Sequence, residues 1–227
     1  EFDSLIFKPR FGQGGEGIVC TEFKDGSWKE IVKGERRSLA GLKANSEMIV
    51  QEFLKQHKSM KNISSSTNTI RVVTMLKMNG DVIIIGNYAR FGVGNSKIDN
   101  LSQGGICVAV DPISGELMST GFDRLSHVFY SHPTSDITFK GYKIPLYNEV
   151  IELAKMVQRS FEFYPLLGMD IAITEEGPLI LEVNPAYDNV DLEQATGPIL
   201  EKPLVYQAYE EYDLFINEQQ KNLKNTQ

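Results

Sequence analysis

Residues 168 to 184 read GMDIAITEEGPLILEVN, two aliphatic runs on either side of Glu175-Glu176-Gly177. This is the pattern of a β-hairpin, and a three-residue loop ending in glycine suits a type I turn followed by a left-handed residue. Thr174 then pairs with Pro178, Asp170 faces Glu182, and Asn184 lies on the same face two residues further along. Two opposed carboxylates among Ile171, Ile173, Leu179 and Leu181 repel one another and lose hydration unless a cation neutralises them. Two carboxylates and an amide oxygen are hard ligands, suited to Mg²⁺ or Mn²⁺ with phosphate and water in the remaining positions. The competing reading is a solvated face at a sheet edge, and a one-residue change of register separates the three residues.

A second hairpin is legible in residues 69 to 90, TIRVVTMLKMNGDVIIIGNYAR, where Asn79-Gly80 suits a two-residue type I′ turn. Met78 then faces Asp81, Arg71 faces Tyr88, and Arg90 is a diagonal neighbour on the face of Arg71. Two cations so placed require an anion between them.

Residues 7 to 19, FKPRFGQGGEGIV, carry glycines that match more than one nucleotide-binding pattern. Gly12, Gly14 and Gly17 satisfy the dinucleotide fingerprint, but that motif needs a helix to follow, and the β-run IVCTEF follows instead. Val19 and Lys33 extend the match toward a protein kinase, yet neither H-R-D nor D-F-G occurs, and the P-loop pattern is absent. Two readings stay open: a plain β-turn, or a strand-loop-strand whose backbone N–H groups cradle phosphates, with Lys8 ending the strand that leads into it.

The rest organises around these segments. Asp25-Gly26 signals a tight turn, residues 35 to 45 read as a short helix, and residues 48 to 54, MIVQEFL, as a strand. Residues 1–55 thus form a small β-rich lobe, and the polar run KNISSSTN, residues 61 to 68, has a connector's composition. Residues 56–205 form a larger lobe, with a helix over 148–163 capped by Asn148 and striped by Val150, Ala154, Val157 and Phe161. A charged helix follows Gly197-Pro198, and 206–227 is a helix end with a polar tail.

The 23 Lys+Arg against 30 Asp+Glu give a net charge of -7, which offers nucleic acid no general attraction. No apolar run approaches the ~18 residues of a membrane span and no leader is evident, so a cytoplasmic protein is expected. Cys20 and Cys107 read as buried structural thiols, while His127 and His132, in the loop SHVFYSHPTSD, read as loop residues bordering a substrate at most. No Ser-His-Asp or Cys-His arrangement suggests a protein nucleophile.

Taken in order, Lys8, the glycine loop, VQEFL, Asp170 and the E-V-N triplet resemble the ATP-grasp fold, an α+β architecture in which two lobes with mostly antiparallel sheets and packing helices clasp a nucleotide. NTIRVVT, DNLSQGGICVAVD, GYKIP and LGMDIAIT are more narrowly similar to the sugar-transfer associated ATP-grasp proteins, found with polysaccharide biosynthesis genes. The resemblance covers residues 5 to about 200. It implies that Lys8 contacts ATP phosphates, that Gly12, Gly14, Gly15 and Gly17 close over them, and that Gln51, Glu52, Phe53 and Leu54 form the hinge against adenine. Asp170, Glu182 and Asn184 would hold magnesium. Arg71 and Arg90 would stabilise the transferred phosphoryl group or a substrate carboxylate, and Asn100, Gln103, Gly104 and Gly105 would line the acceptor side.

The implied reaction is ATP-dependent ligation of a carboxylate to an amine through an acyl phosphate, on a small-molecule or saccharide-linked substrate. The alternatives are a nucleotide-binding module without turnover and kinase-like transfer to a hydroxyl. The chain starts at Glu1-Phe2 and enters an apolar stretch at once, so an upstream segment is expected; the resemblance implies that such a region brings another ATP-contacting lysine and part of the acceptor site. An upstream domain or a dimer is left open as partner.

Overall fold

The computed structural model describes residues 2–11, 16–32, 35–39, 47–96 and 99–212. Five strands, β1 (Ser4–Pro9), β2 (Val19–Lys24), β3 (Ser27–Val32), β4 (Glu35–Ser38) and β5 (Met48–Glu52), form one antiparallel sheet in the order β4-β3-β2-β1-β5. Asp25 and Gly26 both have positive φ, so β2 and β3 are joined by the expected tight turn. After α1 (Lys58–Ile63) come β6 (Thr69–Leu76), β7 (Val82–Phe91), β8 (Ile106–Val110), β9 (Leu117–Phe122) and β10 (Val128–Phe129). Then follow α2 (Tyr147–Ser160), β11 (Leu166–Thr174), β12 (Gly177–Asn184), α3 (Asn189–Thr196) and α4 (Pro203–Glu211). The second sheet has seven strands in the order β10-β9-β8-β7-β6-β11-β12, and the architecture is α+β.

The larger sheet is covered on both faces, which is why all eight residues of β6 are buried. Ile70, Val72, Ala89, Phe91, Met169 and Ile171 pack toward Val150 and Ala154 of α2. On the opposite face Val73, Met75, Tyr88 and Cys107 pack with Leu192 of α3 and with Val205 and Ala208 of α4. Strand alternation puts Thr69, Arg71, Arg90 and Asp170 on this second face, beyond the apolar patch that α3 and α4 cover.

Both site hairpins have a turn other than the expected one, and in both a bulge restores the expected pairing. In β6–β7 the loop is Met78-Asn79-Gly80, closed by Lys77 N donating to Asp81 O at 2.7 Å, with Gly80 at φ 88. Asn79 favours this turn because its side chain accepts from Asp81 N at 3.0 Å and donates to Asp81 Oδ2 at 2.8 Å. The one-residue slip persists to Thr74↔Ile84; a bulge at Ile85 then returns Val73 opposite Gly86 and Arg71 opposite Tyr88. The Ile85 carbonyl accepts from Lys202 Nζ at 2.9 Å. In β11–β12 the turn is Glu175-Glu176, with Thr174 opposite Gly177 rather than Pro178. Thr174 Oγ1 fastens it by accepting from Glu176 N at 3.1 Å and donating to Gly177 O at 2.9 Å. An irregularity between Asp170 and Ile171, absorbed by Leu181, returns Asp170 opposite Glu182.

Other expectations give way to tertiary contacts. Residues 35 to 38 are not helical: Glu35–Ser38 pairs with β3 as a charged edge strand, with Arg36 Nε 2.6 Å from Glu22 Oε2, and residues 40–46 lie outside the described residues. Asn148 does not cap α2. That helix begins at Tyr147, which is anchored through its hydroxyl to Asn87 Oδ1 at 3.1 Å, and Leu146 at φ 51 is the cap residue. The polar run 61–68 is no exposed connector: α1 takes its start, and Asn68 Nδ2 donates to the carbonyls of Met60 and Ser64 at 3.0 and 3.1 Å. Gln56 bridges Asn68 and Thr174, so the chain is tied to the second sheet directly after the 53–55 crossing between sheets. The tail, residues 213–227, lies outside the described residues, and no described helix is long and apolar enough to cross a membrane.

His132 is fully buried rather than a loop residue bordering the cleft. Its Nε2–H donates to the Gly92 carbonyl at 3.0 Å, and Nδ1 accepts from the N–H groups of Ser135 and Thr134 at 3.3 and 3.4 Å. Those partners specify the neutral ring. Burial lowers its pKa, against the opposing pull of the Gly92 bond. The unfolded chain therefore takes up the proton first as pH falls below about 6.5, and stability declines from there down to the depressed folded value. Urea unfolding of the wild type minus His132→Gln should show that decline between neutral pH and the depressed pKa; a difference independent of pH contradicts it.

Candidate functional site

Glu182, Asp170, Arg71 and Tyr88 stand side by side across β12, β11, β6 and β7, and Thr69 faces Arg90 one step along the same face. The anion required between the two arginines is Asp170. Its Oδ2 accepts from Arg71 Nη2 at 2.9 Å and from Arg90 Nη2 at 2.7 Å, and its Oδ1 accepts from Arg71 Nε. The cation expected beside Asp170 is thus the arginine pair: each hairpin carries the other's counter-ion.

A second carboxylate completes the cluster. Asp99 Oδ2 accepts from Thr69 N at 2.7 Å and Thr69 Oγ1 at 2.5 Å, and Arg90 Nε lies 3.7 Å away. Arg90 Nε and Nη2 also donate to Thr69 Oγ1 at 3.0 and 2.9 Å. Arg71 and Arg90 are each 8% exposed, Asp99 5% and Asp170 4%, so these charges answer one another with little water. Burial opposes ionisation of Asp170, but Arg90 and Arg71 outweigh it and hold its pKa below the usual carboxylate value. Asp99 goes the other way, because burial exceeds the help of Arg90 and Thr69.

The cluster forms one wall of a cleft of about 320 Å³. The smaller sheet contributes Ile6 and Lys8 of β1 and Gln51 and Glu52 of β5; the segment leaving it contributes Phe53 and Leu54. From the larger sheet come Thr69, Arg90, Asp170, Leu179, Leu181 and Glu182, joined by Asp99 and Asn100. Ile180 lines it too, so four consecutive residues of β12, 179 to 182, border the cleft where the strand carries its bulge.

The remaining expected residues lie beside the cleft or behind it. Arg71 backs Asp170 from within the sheet, and Asn184 sits half-buried opposite Gly168. Gly17, at φ 74, packs where a Cβ would come 2.9 Å from Pro9 Cγ, while Gly12, Gly14 and Gly15 lie outside the described residues. Gln103 and Gly104 are exposed. Gly105 is buried where a Cβ would clash with the Asp99 carbonyl oxygen, so this turn places Asp99 rather than lining the cleft. His127 is exposed and pairs with Asp123 at 2.8 Å. Cys20 and Cys107 are both buried, and burial pushes the Cys107 thiol up to about 12.

Sequence reasoning missed Asp99 and Thr69. The signal was available, since the register that pairs Arg71 with Tyr88 also pairs Thr69 with Arg90, and Asp99 directly precedes Asn100. Among the described residues no group of three or more His, Cys, Asp or Glu is placed to hold a metal. What the cleft offers is Glu182 opposite Asp170 on neighbouring strands, hard oxygens of the kind a magnesium ion sharing phosphate ligands takes, while Asn184, two residues beyond Glu182, is not among the residues that line it.

Comparison with protein-family models matches residues 1–204 to the family described as sugar-transfer associated ATP-grasp. No curated protein matches the chain. The two carboxylates of the cleft should behave oppositely on truncation. Asp170→Ala leaves buried guanidiniums undercompensated and should cost about 3–5 kcal/mol in urea unfolding. Glu182→Ala, at an exposed edge position, should change stability by less than about 0.5 kcal/mol. Similar losses in the two variants contradict this division.

Proposed function

The chain belongs to the sugar-transfer associated ATP-grasp family, which implies ATP-dependent ligase-type activity, and on that footing we propose that the cleft between the sheets is its ATP site. The observation that carries this reading is the convergence of Lys8 and residues 51–54, from one sheet, on Asp170, Glu182 and Arg90, from the other. Adenine lies against the segment Gln51, Glu52, Phe53 and Leu54, between the apolar side chains of Ile6 and Leu179. The phosphates run toward Lys8 and Arg90.

Glu182, Asn184 and Asp170 are the residues that would hold magnesium, which supplies charge neutralisation on the phosphates when bound. ATP phosphorylates a substrate carboxylate to give an acyl phosphate and ADP; an amine then attacks the acyl carbon and phosphate leaves, forming an amide. The protein's part is electrostatic and steric. Lys8, Arg71 and Arg90 offset charge on the moving phosphoryl group, and the apolar walls limit hydrolysis by excluding water. Family membership favours a small-molecule or saccharide-linked carboxylate and amine, in cytoplasmic modification of polysaccharides or cell-surface metabolites.

Calorimetry with ATP and Mg²⁺ tests the binding half. The wild type should bind, and Lys8→Ala and Glu182→Gln should each weaken binding by about tenfold or more, a change of ~1.4 kcal/mol, with unfolding midpoints unchanged. Undiminished affinity in both variants contradicts the assignment. ADP release across pools of carboxylates and amines tests the ligase half, with an amide rather than a phosphorylated alcohol as the expected product.

A further inference from the structure

Asp170 is placed for two tasks that a single carboxylate does not perform together. A carboxylate offers about four lone-pair sites. Asp170 accepts from Arg71 Nε, from Arg71 Nη2 at 2.9 Å and from Arg90 Nη2 at 2.7 Å. A metal approaching from the cleft thus meets a carboxylate already neutralised and largely occupied, beside two guanidiniums that repel it.

Resting on the nucleotide-site reading above, we propose that Arg71 and Arg90 are stand-in cations, and that metal and nucleotide bind together by exchanging Asp170 from the arginines to the metal. Arg90 lines the cleft whereas Arg71 lies behind Asp170, so Arg90 is the guanidinium released toward phosphate or the substrate carboxylate. It does not lose its bearing on release, because Thr69 Oγ1 accepts from its Nε at 3.0 Å and, at 2.9 Å, from the same Nη2 that reaches Asp170, and Asp99 lies 3.7 Å from Nε. Asp99 is thereby a positioning residue for Arg90.

The exchange makes each ligand depend on the other. Metal alone would break a buried ion pair and strand two cations, and nucleotide alone would compete with Asp170 for Arg90. Arriving together, the metal takes up the carboxylate while the phosphates satisfy Arg90. This is positive coupling beyond direct metal–phosphate contact, and by linkage it acts equally in both directions.

The test is Mn²⁺ binding without nucleotide, followed by electron paramagnetic resonance. With one guanidinium gone and Asp170 freed toward the cleft, Arg71→Gln should bind Mn²⁺ about tenfold or more tightly than the wild type, a change of ~1.4 kcal/mol. Adding Glu182→Gln to that variant should abolish the gain. Equal or weaker Mn²⁺ affinity in Arg71→Gln, or a gain that survives loss of Glu182, overturns the exchange.

Should Arg71→Gln fail to fold, the intact protein still decides. The arginine Nε–H resonances of Arg71 and Arg90 should shift when Mg²⁺ and ADP are added together and should stay in place with Mg²⁺ alone. Unmoved resonances while Mg²⁺–ADP binds overturn the proposal. Failure of the wild type to bind Mg²⁺–ADP at all instead removes the nucleotide reading on which it rests.

Discussion

One buried carboxylate, Asp170, lies between two guanidiniums from the neighbouring hairpin, and the architecture of the larger sheet is organised around that contact. Two like charges on one face are tolerable only if an opposite charge is delivered between them at hydrogen-bond distance, and its cost of burial is met only by such pairing. This demand fixes β11 beside β6 with Asp170 opposite Arg71, and it fixes β7 on the other side of β6 so that Arg90 comes within reach. Asp99, brought in through the turn at Gly104 and Gly105, balances the second arginine. The same face continues as an apolar surface under α3 and α4, so the charged cluster lies where that cover ends and the cleft begins.

The two site hairpins show why the register of a site can be legible when its turns are not. The expected turns rest on the pair Asn79-Gly80 and the triplet Glu175-Glu176-Gly177, and side chains decide otherwise: Asn79 bonds Asp81, and Thr174 bonds Glu176 and Gly177. Each misread turn slipped the strands by one residue. Yet a slip carried to the sheet centre would turn Arg71 or Asp170 to the wrong face, because side chains alternate with period two. The bulges at Ile85 and Leu181 absorb the slip before it reaches the charged row, so the face pattern was a better guide than the turn.

The features that stayed hidden are tertiary in origin. Glu35–Ser38 has no strong strand signal of its own and is a strand because β3 has an edge to pair. Tyr147 rather than Asn148 begins α2 because its hydroxyl finds Asn87, and the run 61–68 reads as a connector until Gln56 and Asn68 meet across it. His132 looked like an ordinary loop residue, since nothing local announces that Gly92, 40 positions away, accepts its proton. Family membership, by contrast, was legible through the order of many short motifs, and it spans residues 1–204. The partners of Asp170 were legible only in halves, one hairpin asking for an anion and the other for a cation.

A cleft with lysine and apolar side chains on one wall and a neutralised carboxylate on the other is a reasoned place for a metal–polyphosphate, since both charged partners must arrive before either side is satisfied. The most direct measurement of this claim is a crystal structure with Mg²⁺ and a non-hydrolysable ATP analogue. The account predicts the analogue between residues 51–54 and Leu179, its phosphates at Lys8, and the magnesium on Glu182 and Asp170 with the Arg90 contact to Asp170 broken. An analogue bound outside this cleft, or a bound metal–nucleotide that leaves both arginines on Asp170, would contradict it.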